Sequence, residues 1–362
     1  MVQRKLNKKK LILFILVLIL IICLIIGGFA FYMISPKDKK ADMISYEVKS
    51  GMTGYMVFED LESTGIIRNS NFMKLYSKLT GGVNISAGTY NISASMSVPE
   101  LVKVLNGDSA SNREEVKFTF KEGRNIRQLV SDLTSVTDNI TEEEIYNTLK
   151  DSDFIDELIS KYWFLTDEIK SQDIYYPLEG YLYPNTYMIF KDGTFKEVVY
   201  KMLDEMDNKL TPLKSSIESS RYSVHELLTL ASIVEQEGSL GSDRKGIAGV
   251  FTNRLNNGWN LGSCVTTYYG SKVLMGERDL YQAEIDDCTN KYNTRCNSLI
   301  GLPIGPICNP GIESIEASLN PTQNDYYYFV SDKNNNTYFS KNYSEHLSTI
   351  NRLQREGKWY EY

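Results

Sequence analysis

Histidine is nearly absent: the chain holds two, His225 and His346, and neither stands in an H-E-x-x-H pair. A zinc hydrolase of that kind therefore lacks its ligands. No G-x-S-x-G elbow, P-loop or G-x-G-x-x-G run occurs, which removes the common serine-hydrolase, nucleotide-hydrolase and dinucleotide readings. The five cysteines contain no C-x-x-C, which argues against a zinc site of ordinary spacing. There is no basic excess either. The net charge of -7 leaves no electrostatic footprint for nucleic acid. No stretch repeats at a period of 20–50 residues, so a solenoid is excluded. What remains is carboxylate chemistry, with no metal or cofactor implied.

The 362 residues suggest two globular parts, at about 100–200 residues per domain. Before them stands an uncharged run from Leu11 to Ile34, LILFILVLILIICLIIGGFAFYMI. A hydrocarbon core needs about 20 apolar residues of helix. Arg4, Lys5, Lys8, Lys9 and Lys10 precede the run, and such a basic flank stays in the cytoplasm. The expectation is a cytoplasmic tail over 1–10, a transmembrane helix over 11–34, a linker over 35–44, and the rest outside the cell membrane. A cleaved signal peptide is the competing reading. Its apolar region would be about 7–15 residues and end in small residues, whereas this run closes on Phe29, Phe31 and Tyr32.

Beyond the linker the pattern reads strand (Tyr46 to Gly51), helix (Phe58 to Thr64), helix (Asn71 to Leu79), strand (Asn84 to Ser93), helix (Val98 to Leu105). This order, with the Tyr46 to Gly51 segment, resembles a LysM-like module over 45–110, the small fold that grips N-acetylglucosamine polymers. A spacer domain without ligand is the alternative. Ser109 to Arg113 is polar and marks the boundary. A strand at Val116 to Phe120, a turn at Glu122-Gly123, and helices at 126–133, 141–149, 153–161 and 195–210 follow. The fold class expected is α+β, with a larger mixed catalytic domain over 111–362. Tyr326 to Val330 reads as a buried strand. Cys264, Cys288, Cys296 and Cys308 cluster late in the chain. In an outer domain they suggest two disulfides, against buried free thiols.

Val224 to Glu237, VHELLTLASIVEQE, is helical by composition, with one broad apolar arc and Thr229 and Gln236 on the other side. Glu235 and Glu237 project at the flanks of that arc. They cannot work as a close pair, because residues i and i+2 do not face each other on a helix. Apolar surroundings would suit a general acid. A solvated, fraying helix end before Gly238 is the alternative.

Several blocks resemble the YceG-like family of membrane-anchored endolytic murein transglycosylases. Leu178 to Tyr187, LEGYLYPNTY, is similar to the family's E-G-Y-L-[FY]-P-x-T-Y, and Ala231 to Glu237, ASIVEQE, to its A-S-I-[VI]-E-x-E. Val250 to Leu255, Tyr292-Asn293-Thr294, Gly301 to Gly311, Asn320-Pro321, Tyr328-Phe329-Val330 and Glu345-His346 follow in order. The resemblance implies that Glu235 is the catalytic residue, protonated to donate to the glycosidic oxygen and then acting as base. It nominates Glu179, Glu237, Thr266, Asn293, Thr294, Pro303 and Asn309 for substrate binding. It also implies peptidoglycan glycan strands as substrate, the β-1,4 bond between N-acetylmuramic acid and N-acetylglucosamine as target, and peptidoglycan synthases as partners. The alternatives are a muramidase that leaves a reducing end, and a non-catalytic wall-binding scaffold. One departure stands out. Cys264 occupies a position that is usually acidic in the family, and the expectation is that a disulfide replaces a structural or positioning acid there.

Overall fold

The computed structural model describes residues 8–49, 52–83, 85–106, 115–238 and 243–359. The expected boundary at 109–113, the strand end at 50–51, Asn84, Gly107 and residues 1–7 of the tail lie outside these. The chain divides into two compact units, Met1–Arg113 and Glu114–Tyr362.

The first unit opens with α1, Lys8–Ile34, a helix of 27 residues and hence about 40 Å long at 1.5 Å per residue. Several of its side chains lie outside the described ones. Among the described residues no helix is long and apolar enough to cross a membrane, so membrane crossing rests on the sequence alone. There follow β1 (Ile44–Val48), α2 (Gly54–Ser63), α3 (Ser70–Leu79), β2 (Gly88–Ile92) and α4 (Val98–Asn106). The second strand is shorter than its pattern suggested and begins at Gly88. β1 and β2 pair antiparallel, with Tyr46 opposite Tyr90. Their inward residues meet Phe58, Leu61, Met73, Leu101 and Leu105 from the helices in one core. Thr53 and Asn69 cap α2 and α3 through side-chain oxygens, which satisfies amides that a helix start leaves free.

The second unit is mixed α+β. Its first half is β3 (Glu115–Phe120), α5 (Ile126–Thr134), α6 (Glu142–Lys150), α7 (Ser152–Lys161), β4 (Asn185–Phe190), α8 (Phe195–Leu210) and α9 (Lys214–Glu218). β3 and β4 pair antiparallel, with Phe118 opposite Tyr187. The second half is α10 (Val224–Glu237), α11 (Arg244–Asn256), α12 (Cys264–Gly270), α13 (Gln282–Ile285), α14 (Ile312–Leu319), β5 (Tyr328–Ser331), β6 (Thr337–Ser340) and α15 (Tyr343–Arg355). Three two-stranded sheets are present among the described residues. β5 starts two residues later than its sequence suggests. Of Tyr326 to Val330 only Val330 is fully buried, because this hairpin has α15 on it and no second sheet.

α10 organises this unit. Ser223 and Glu226 form a capping box that starts it, satisfying amides at both positions. Leu227, Leu228 and Ala231 enter the core around β3, β4 and α8. Leu230, Ile233 and Val234 enter a second core with Ile247 and Phe251 of α11. The expected polar side is mostly enclosed: Gln236 is half-buried and Thr229 is buried, its hydroxyl donating back to the His225 carbonyl at 2.7 Å. A helix buried from Leu227 to Glu235 is a central element, not an amphipathic surface one.

Candidate active site

Glu235 lies in the last turn of α10, and the structure puts donors, not apolar groups, around its carboxyl. Arg244 Nη2 donates to Oε1 at 3.1 Å. The Gly311 amide at 3.1 Å and the Ser314 hydroxyl at 2.6 Å both donate to Oε2. The expected apolar setting is thus corrected. α11 and the start of α14 converge on the end of α10, and their polar groups are the ones that reach the carboxyl. Three donors complement a carboxylate. Arg244 also donates through Nε to Ser314 Oγ at 3.0 Å. Sequence reading missed Arg244, Ser314 and Gly311. Arg244 did carry a signal: it is the first residue of α11, and a cation at a helix's electropositive end needs a carboxylate close by.

Glu237 points elsewhere, as a separation of two on a helix requires. Its carboxyl accepts from Ser263 Oγ at 2.5 Å. Burial pushes it above the usual carboxylate range, and the Ser263 hydrogen bond and the Arg254 charge oppose that shift. Apolar surroundings were expected of both carboxyls, and burial raises that of Glu237.

Glu179 is 1% exposed. Its two oxygens accept from the Ile126 amide, each at 3.1 Å, so it caps the start of α5 from a distant loop. Tyr269 OH donates to Oε2 at 3.0 Å and Asn309 Nδ2 to Oε1 at 2.9 Å. Burial raises the carboxyl to about 7 against these donors. Asn309 Oδ1 in turn accepts from the Gly180 and Leu182 amides, both at 3.0 Å. Gly180 has φ +86°, and a Cβ there would fall 2.4 Å from Pro306 Cβ. Only glycine permits this close approach of the two loops.

The other nominated residues are also interior. Asn293 Nδ2 donates to the Ile285 and Asp287 carbonyls at 2.9 and 2.8 Å, and its Oδ1 accepts from Thr267 Oγ1 at 2.8 Å. The Thr266 and Thr294 hydroxyls bond each other at 2.8 Å. Pro303 is buried in the 301–311 loop. That loop is pinned to α10, with the Ile307 amide donating to Ser232 Oγ at 3.0 Å and His225 Nε2 bonding the Ile304 carbonyl at 2.9 Å. Glu179, Thr266, Asn293, Thr294 and Asn309 leave almost no side-chain surface for a ligand.

Among the described residues one disulfide forms, Cys288–Cys296, where two were expected. Cys308 is a buried free thiol and Cys264 an exposed one. Cys264 is therefore not replacing an acid through a disulfide. Its Sγ accepts from Arg295 Nη1 at 3.0 Å.

Comparison with known proteins adds to this geometry. Residues 46–352 match the YceG-like family. The chain is 30% identical over 301 residues to the endolytic murein transglycosylase of Streptococcus pneumoniae D39, covering 79% of this chain and 54% of that protein. The chain thus spans about half the length of the pneumococcal relatives. It is also 30% identical to the endolytic murein transglycosylase of Bacillus subtilis, covering 89% of each. A 2.6 Å crystal structure of a YceG-like protein from Listeria monocytogenes superposes with TM-score 0.61 at 29% identity, covering 86% of this chain and 100% of that one. A family match running from the first strand to the last helix, with the donor-lined Glu235 inside it, means that this chain belongs to the YceG-like family.

Proposed function

We propose that the chain is an endolytic lytic transglycosylase that cuts the β-1,4 bond between N-acetylmuramic acid and N-acetylglucosamine within peptidoglycan strands. The observation that carries this reading is the single carboxyl of Glu235, fixed by Arg244, Ser314 and the Gly311 amide at the end of the ASIVEQE block. Glu235 moves protons between the glycosidic oxygen and the muramoyl 6-hydroxyl. That hydroxyl attacks the anomeric carbon and closes a 1,6-anhydro ring, so the nucleophile belongs to the substrate. Paired-acid hydrolases differ, because a second carboxylate activates water or bonds the sugar. Glu179, Thr266, Asn293, Thr294, Pro303 and Asn309 serve the site by holding its walls, and Glu237 by tying α10 to Ser263.

The first unit holds a LysM-like module that grips the strand, behind a single membrane span at 11–34 with the N-terminus in the cytoplasm. The uncharged run and its basic flank support this orientation. A tethered cutter of nascent strands would end glycan elongation, and peptidoglycan synthases are its partners in this reading.

Digestion of purified uncrosslinked glycan strands with mass analysis of the ends tests the reaction. Anhydro ends support it, since they lack one water relative to hydrolysis. Reducing ends would make the chain a muramidase. Binding without cleavage would make it a scaffold.

A further inference from the structure

Trp259 is 42% exposed, and the backbone holds it in one place. Gly258 follows α11 at φ +65°. Its amide donates to the Leu255 carbonyl at 3.2 Å, and the Trp259 amide closes on the Arg254 carbonyl at 2.9 Å. A helix stopped by glycine in this way fixes the residue that comes next. The indole packs against Tyr327, with centroids 4.9 Å apart, and meets Tyr328 edge-on at 6.4 Å. Tyr327 OH accepts from Asn257 Nδ2 at 2.8 Å, which leaves its own O–H to donate. The indole N–H has no partner among the described residues. From Trp259 the chain returns to the candidate active site. Asn260 bridges Gly301 of the 301–311 loop, the Gly262 amide donates to the Thr294 carbonyl at 2.9 Å, and Ser263 holds Glu237. Arg244, which pairs with Glu235, and Arg254, beside the indole, stand about 15 Å apart along α11 at 1.5 Å per residue.

We propose that Trp259 and Tyr327 form a stacking platform for a sugar ring of the peptidoglycan strand, apart from the ring that is cut. This rests on the glycan-cleaving function above and deepens it. One face of a pyranose is a patch of C–H bonds, and its edge carries hydroxyl and acetamido groups. An aromatic ring takes the C–H face, and polar atoms at the ring's margin take the edge. The exposed indole supplies the first; its N–H and the Tyr327 O–H supply the second. A single exposed aromatic is ordinary surface. This one is backed by a second ring and set by a helix stop, so little side-chain freedom is lost when a sugar lands on it. The helix length of about 15 Å between the Glu235 pair and the platform exceeds one disaccharide. A strand must therefore run on past the cut to touch both. The platform favours long strands over short oligomers and sets the cut back from the strand's end.

Length dependence tests this on the full chain in detergent. The substrates are long uncrosslinked strands and an oligomer of two disaccharides. Trp259→Ala should raise KM for strands about 3–10-fold, leave kcat near the parent value, and cut the oligomer as the parent does. Trp259→Phe keeps a flat ring and should recover most of the loss. Tyr281→Ala, which removes an aromatic 65% exposed elsewhere in the second unit, should change neither substrate. Tyr327→Leu removes the backing ring and its O–H; it should show the same split as Trp259→Ala and serves where that variant does not fold. A Trp259→Ala chain with the parent's KM on strands, or with an equal loss on strands and oligomer, overturns the proposal. A parent chain that cuts neither substrate sinks the cleaving function alone. Co-sedimentation with purified strands then decides, and equal binding by the parent and Trp259→Ala overturns the platform.

Discussion

Arg244 and Glu235 form an ion pair at 3.1 Å with their side chains 14% and 7% exposed. The guanidinium also reaches Ser314, so three helices meet through one cation. The cation offsets the cost of keeping a carboxylate out of water, and it holds the carboxyl at the place where α10 ends.

Arg244→Gln should accordingly destabilise the second unit by about 3–5 kcal/mol, because an enclosed charge loses its partner. Ser314→Ala should cost less, about 1–3 kcal/mol, since one neutral donor is lost. Denaturant midpoints measured with an unchanged slope would check both. Equal midpoints for Arg244→Gln and the parent would mean that the pair is solvated in solution.

Glu179 makes stability depend on pH. Its folded carboxyl is raised from 4.5 to about 7 by burial. Between those values the folded chain holds a proton that the unfolded chain has released, so stability falls as pH rises through that window. Thermal midpoints from pH 5 to 8 should decline for the parent. Glu179→Gln should flatten the slope, since its amide still accepts from the Ile126 amide. A parent curve that rises over this range would contradict the assignment.

Local signals made much of this fold legible. α8 runs from Phe195 to Leu210 and α10 from Val224 to Glu237, as their apolar spacing reads, and each begins with a capping box written in the sequence. The surroundings of Glu235 were not legible, because its donors lie 9, 76 and 79 residues away. Periodicity sees one helix at a time, so it placed Thr229 on a wet face. Only the second core, built from α11 and the 301–311 loop, buries that side. The nominated asparagines and threonines show the same limit: a motif marks them, but the interior bonds of Asn293 and Asn309 decide what they do.

The cysteines give a chemical test of the second unit. Without reductant, native protein should label at Cys264 and leave Cys308 unlabelled until denaturation, while Cys288 and Cys296 label only after reduction. Breaking the link, which spans a sequence separation of 8, should cost about 2–3 kcal/mol in the chain-entropy picture. Native labelling of Cys308 would show that the 301–311 loop opens from α10.

Glu235 and Glu237 provide the sharpest contrast, since one helix turn holds both and the structure sends them to different partners. Gln at 235 keeps the shape and can still accept from Gly311 and Ser314, but it cannot take or give a proton. It also leaves Arg244 without its carboxylate, so folding must be matched by thermal transitions before rates are compared. Glu235→Gln should then fold and bind glycan yet lose about 10²–10⁴-fold in the release of anhydro ends. Glu237→Gln keeps a partner for the Ser263 hydroxyl and removes only a buried carboxyl whose proton affinity is already raised. Its cleavage should stay within several-fold of the parent, and its stability should lose part of its decline at higher pH. If Glu237→Gln is inactive while Glu235→Gln turns over normally, the two roles are exchanged, and the Arg244 cradle is structural. If both variants cut normally, the reacting carboxyl lies off α10 altogether.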